Sequence, residues 1–103
     1  MKHFLIKYRF RVGSPTEWRE HIAAFISHLN DDPDLRGKIS YRCMKERDGD
    51  DYYHLASTAD DAAAAALQGK EFFKLYSAQT RRVAGGELSV TPLEIIGQTI
   101  HKA

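Results

Sequence analysis

The sequence predicts an α+β fold of order βαββαβ: a four-stranded antiparallel sheet with helices on one face. Three observations predict it. Period-two alternation of apolar and polar residues recurs near both ends and twice in the middle. An apolar stripe at helical spacing follows Gly13-Ser14-Pro15. An alanine run opens behind the pair Asp60-Asp61 and leads into a second stripe.

The elements follow in order. Residues 3–12 alternate, with Phe4, Ile6, Tyr8, Phe10 and Val12 on one side and His3, Lys7, Arg9 and Arg11 on the other. Leu5 breaks the pattern. Ser14 or Thr16 can cap the helix that runs from about 16 to 30, with Trp18, Ile22, Phe25, Ile26 and Leu29 on its stripe. Residues 31–37 read as loop. Strand two covers 38–46, with Ile39, Tyr41 and Cys43 opposite Lys38, Ser40 and Arg42. Asp48-Gly49-Asp50-Asp51 is a hairpin turn by composition. Strand three covers 52–58. The alanine run at 62–66 is helix, and Gly69 interrupts or ends it. A further helical stretch, 70–83, places Phe72, Leu75, Tyr76, Gln79 and Val83 on one face, and Gly85-Gly86 stops it. Strand four covers about 87–97. Pro92 cannot donate to a ladder, so that strand lies at an edge or is bulged. The tail 99–103 is expected to be loose or to pack on a partner. The result is a ferredoxin-like arrangement in which both crossovers fall on the same face. The other face would carry Leu5 and one aromatic from Tyr52 and Tyr53, and a second copy of the chain would suit it as a cover.

The chain has 103 residues, which suits one domain spanning 1–103. Surface scaling lets such a chain bury roughly 65% of its unfolded area, so a core is feasible without metals or disulfides. With 15 basic and 14 acidic residues, the net charge of +1 predicts neither a nucleic-acid nor an anionic-membrane partner. The single cysteine, Cys43, excludes an internal disulfide and reads as a small core residue. The absence of a leader pattern and of any 18-residue apolar run predicts a cytoplasmic protein.

Several segments carry a family likeness: Lys2-His3-Phe4-Leu5-Ile6, Val12-Gly13-Ser14-Pro15-Thr16-Glu17-Trp18, Tyr53-His54-Leu55-Ala56, the run Gly69 to Tyr76, and Pro92-Leu93-Glu94-Ile95-Ile96-Gly97. Through them the chain resembles the dimeric α/β-barrel superfamily, and within it the antibiotic-biosynthesis-monooxygenase-like proteins. The resemblance implies two sheets packed face to face as a homodimer, with a ligand cavity between each sheet and its own helices. It implies a planar, apolar, aromatic or polyketide-like biosynthetic ligand. Members of the superfamily oxidise such compounds with oxygen and no bound cofactor, cyclise polyketides with a His/Tyr pair, or degrade haem. The haem-degrading pattern needs an Asn, a Trp and a His where this chain has Ile6, Leu67 and Ser77, so it is not expected here.

His54 leads the candidate catalytic residues. It sits mid-strand beside Tyr52 and Tyr53, where a neutral imidazole could act as a base or position a phenolic substrate; the plainer alternative is a structural histidine bonded to its neighbours. His3 is the second candidate, because in the polyketide-cyclising relatives a histidine after a lysine in strand one lines the cavity. If the even residues of that strand face the helices, His3 faces the partner subunit instead. Tyr8, Trp18 and Tyr76 suit both a flat aromatic ligand and an ordinary core, and His21 could reach the cavity mouth. No metal site is expected: His21 and His28 lie about 10 Å apart along their helix. No phosphate-binding glycine loop precedes a helix, so no cofactor is expected either.

Overall fold

A computed structural model describes residues 1–99. It contains β1 (Lys2–Arg9), α1 (Pro15–Asp31), β2 (Ile39–Lys45), β3 (Asp51–Thr58), α2 (Asp61–Gln68), α3 (Glu71–Val83) and β4 (Leu88–Leu93). All pairings are antiparallel, and the strand order is β2-β3-β1-β4. The fold is the expected ferredoxin-like α+β arrangement, with the second helical region split in two. The tail beyond Thr99 lies outside the described residues.

Local chemistry sets the helix starts. Ser14 is the α1 cap, accepting the Glu17 N–H at 3.3 Å, and Pro15 fills the first turn, where its missing N–H costs nothing. Asp60 caps α2 by accepting from Ala63 N–H at 2.8 Å. Gly69, the poorest helix former in the segment, then separates α2 from α3.

Three boundaries differ from the expectation. Strand one stops at Arg9 and not at residue 12. Phe10 still bonds Asp50, but the N–H groups of Arg11 and Val12 both donate to the Val83 carbonyl, at 2.7 and 3.1 Å. The segment leaves the sheet to satisfy the end of α3. Strand four stops at Leu93 and not at 97, because it pairs with His3 there and β1 has almost run out. Ile95 and Ile96 are consequently exposed. Pro92 sits on this edge strand, where its missing N–H is tolerated. The expected loop at 31–37 carries a fully buried anchor, Leu35, and is clamped by Lys70, whose Nζ lies 2.7 Å from Asp34 and 3.1 Å from Asp32.

Leu75 is also corrected. Tyr76 and Thr80 define the buried stripe of α3, and Leu75 lies about 100° around the helix from Tyr76. It is 61% exposed. Leu75→Lys is expected to shift unfolding stability by no more than about 0.5 kcal/mol in a urea titration.

The even residues of β1 face the helices. Tyr8, Trp18, Ile22, Phe25, Leu29, Leu35, Tyr52, Leu67, Tyr76 and Ala84 form the core. The opposite face carries His3, Leu5 and Lys7 paired across β3 with Ser57, Leu55 and Tyr53. Lys7 Nζ sits 5.5 Å from the Tyr53 ring centre. Among the described residues, no helix covers this face.

Candidate functional site

The buried centre of the helix-facing side is a chain of polar groups inside an aromatic stack. His54 is 0% exposed. Its Nε2 lies 2.8 Å from Tyr8 Oη, and its Nδ1 lies 2.6 Å from Tyr41 Oη. Trp18 Nε1–H donates to Tyr8 Oη at 2.8 Å. Tyr76 Oη lies 3.3 Å from both Tyr41 Oη and His54 Nδ1, with Cys43 Sγ at 4.0 Å.

Strand pairing builds this cluster. Ile6 pairs with His54 in β1–β3, and Cys43 pairs with His54 in β2–β3. Tyr8 and Tyr41 are therefore the diagonal, same-face neighbours of His54 on either side. The helices supply the rest. The Tyr76 ring is sandwiched between Trp18 (centroids 5.5 Å, 11° between planes) and Phe25 (3.8 Å, 2°). Tyr8 stacks on Tyr52 at 5.4 Å. These contacts leave the hydroxyls little freedom.

Burial governs the electrostatics. Desolvation lowers the His54 pKa to about 4, so the imidazole is neutral at physiological pH. Desolvation raises the hydroxyls of Tyr8, Tyr41 and Tyr76 far above the ordinary phenolic value. Burial likewise pushes the Cys43 thiol up to about 11, which leaves it protonated and unreactive. The cluster is thus a set of neutral donors and acceptors.

A cavity of about 390 Å³ adjoins it, between the sheet and α2 and α3. Ile6, Ala56, Leu67, Phe73 and Leu88 supply apolar walls, Tyr41 and Tyr76 the polar end, and Arg81 an exposed cation. The volume and the mostly apolar lining fall in the range of small-molecule pockets.

Of the residues singled out from the sequence, the fold brings together His54, Tyr8, Trp18 and Tyr76. Tyr76 lines the cavity; His54, Tyr8 and Trp18 stand behind its wall. His3 is not with them. It lies on the opposite face of the sheet, where Nδ1 is 2.6 Å from Ser57 Oγ. His21 is exposed on α1, its ring centre 6.3 Å from that of Trp18, and does not line the cavity. Tyr41 is the residue that sequence reasoning missed. Its inward phase on strand two was legible, but its contact with His54 depends on the β2–β3 register. No group of three or more His, Cys, Asp or Glu gathers as metal ligands, and no helix is long and apolar enough to cross a membrane, among the described residues.

No protein-family model matches the chain, and no curated protein does. Solved structures match its fold. SnoaB, a cofactor-independent oxygenase from Streptomyces nogalater, superposes with a TM-score of 0.73 at 19% identity, over 98% of this chain and 97% of that one. A Caulobacter crescentus protein provisionally named an antibiotic biosynthesis monooxygenase gives 0.75 at 12% identity, over 93% and 90%. A dimeric ferredoxin-like protein from Jannaschia gives 0.67 at 19% identity, over 92% and 100%. The chain therefore shares the ferredoxin-like α+β fold of these solved proteins. At these identities the likeness is one of fold.

Proposed function

We propose that the chain is a single dimeric α/β-barrel domain that acts in the cytoplasm on a planar, largely apolar aromatic or polyketide-like intermediate as a cofactor-independent monooxygenase. One observation carries this reading: an apolar cavity of about 390 Å³ ends on the Tyr41 and Tyr76 hydroxyls, which bond to the buried His54. The fold shared with SnoaB, itself a cofactor-independent oxygenase, supports it. In such a reaction a methylene between aryl groups loses two hydrogens. One atom of O2 becomes the new carbonyl, the other leaves as water, and the substrate supplies the electrons. The protein supplies a dry pocket and fixed dipoles around the electron-rich form of the ligand. Tyr41 and Tyr76 form its polar end, while His54 stands behind them and is held in turn by Tyr8, itself bonded by Trp18.

Oxygen uptake and mass spectrometry with reduced polycyclic ketones of the anthrone type test the reading. Turnover is expected in the parent protein. It should vanish in His54→Ala and drop roughly 10²-fold in Tyr41→Phe, with circular dichroism unchanged. Unchanged turnover in both variants removes the role given to His54. The close His54–Tyr41 contact also favours a second reading, a cyclase or condensation catalyst working with a His/Tyr pair. That reading predicts a product with no added oxygen. Ligand bound and returned unaltered would instead mark a carrier.

In this reading a second subunit covers the face that carries Leu5, Leu55 and Tyr53, with His3 and Ser57 on the same face and away from the pocket. Leu55→Lys is expected to halve the mass seen by sedimentation equilibrium. A parent protein that sediments as a monomer contradicts the dimer.

A further inference from the structure

The hydrogen-bond chain through His54 has a direction, and that direction specifies what the pocket binds. Trp18 Nε1–H can only donate, so Tyr8 Oη accepts from it at 2.8 Å. The Tyr8 hydroxyl proton then needs an acceptor of its own in a buried site. The other bond recorded for that oxygen is the 2.8 Å contact to His54 Nε2. Nε2 is therefore the unprotonated nitrogen, and the proton of the neutral ring sits on Nδ1. Nδ1–H donates to Tyr41 Oη at 2.6 Å. Tyr41, its acceptor position filled, donates to Tyr76 Oη at 3.3 Å. With Nδ1, 3.3 Å away, protonated and unable to accept, the Tyr76 proton is left with the Cys43 sulfur at 4.0 Å, a weak partner. The opposite tautomer would put Nε2–H against Tyr8 and strand the Tyr8 hydroxyl proton without an acceptor.

We propose that the chain Trp18→Tyr8→His54→Tyr41→Tyr76 is fixed in this sense, that His54 is held as the Nδ1–H tautomer, and that the pocket binds a ligand whose carbonyl or enolate oxygen accepts from the Tyr76 hydroxyl. The inference rests on the cavity reading above and deepens it. His54 is then a positioning residue, not a base open to the ligand, because its lone pair faces Tyr8, away from the cavity. Tyr8 and Trp18 are positioning residues as well: they fix the sense of every bond after them. Burial keeps the three phenols neutral, which preserves them as donors. A ligand offering only hydrogen-bond donors leaves the Tyr76 hydroxyl proton without an acceptor.

Two measurements on the intact protein test this. Nitrogen-15 NMR of the His54 ring is expected to show a pyrrole-type Nδ1 and a pyridine-type Nε2, with the Nδ1–H form in roughly tenfold or greater excess. The opposite assignment overturns the proposal. The second probe is 1-tetralone labelled with carbon-13 at its carbonyl. Its infrared stretch on the parent protein should move below its position in an apolar solvent. In Tyr76→Phe it should return to that position, while tetralin, which lacks the oxygen, should bind more weakly to the parent protein and equally to the variant. A carbonyl stretch unmoved on the parent protein, or the same shift in Tyr76→Phe, overturns the donor assignment. Tyr41→Phe, with its fold checked by circular dichroism, is expected to weaken the shift. An equal shift in that variant overturns the linkage through His54. Absent oxygen uptake together with these spectroscopic results retires the monooxygenase reading and leaves this inference standing.

Discussion

Replacing Trp18 by alanine is expected to cost about 3–5 kcal/mol, a large share of the stability of a domain this size. The indole is 2% exposed and does two jobs. Its face stacks on Tyr76 at 5.5 Å, and its N–H satisfies the Tyr8 oxygen at 2.8 Å. Alanine leaves a void where the ring stood and, beside it, a Tyr8 oxygen that keeps its bond to His54 and has lost its donor. Trp18→Phe keeps most of the volume and loses only the bond, so it should cost about 1–2 kcal/mol. Because Trp18 is the only tryptophan, the titrations must be followed by circular dichroism and not by indole fluorescence. Equal losses in the two variants would contradict the weight given to ring packing.

The second large effect is on acid stability. His54 has a folded pKa of about 4 against an ordinary 6.5, because burial disfavours the imidazolium. Between those values the unfolded chain binds a proton that the folded chain does not, so acid favours unfolding. The stability is present in full above about pH 6.5. It is lost as pH falls toward 4 and changes no further, through this group, below that. The shift corresponds to about 3 kcal/mol, or roughly 10–20 °C in Tm. Other groups also titrate in that range, so the comparison is with His54→Gln. That variant is expected to lose about 3 kcal/mol less than the parent between pH 6.5 and pH 4. An identical pH dependence in both proteins would mean that His54 is not held neutral by burial.

Much of the fold was legible because it is written in period. The even residues of strand one are apolar almost throughout, and this alternation sets which face meets the helices. The Trp18, Ile22, Phe25, Leu29 stripe and the capping residues Ser14 and Asp60 fixed the helices within a residue or two. What the sequence left open was phase and register. His3 had two possible faces, and packing of Tyr8 beneath Trp18 put it on the outer one. Tyr41 escaped notice because its place beside His54 depends on the Cys43–His54 pairing, which the hairpin turn composition alone does not specify. The strand ends at Arg9 and Leu93 were overrun for a related reason. Alternation continues past both, but partners on α3 and β1 decide where pairing stops. Leu75 was placed on the buried stripe because two adjacent apolar residues, Leu75 and Tyr76, offered two possible centres for it.

The proposed binding site is the space between the sheet and α2–α3. An intermolecular NOE experiment on the protein with 1-tetralone tests it most directly. Cross-peaks are expected from the ligand to Ile6, Leu67 and Leu88, which line the cavity, together with shifts of the Tyr41 and Tyr76 rings. Cross-peaks to Leu5 and Leu55 on the outer face of the sheet, with the cavity residues unmoved, would contradict it.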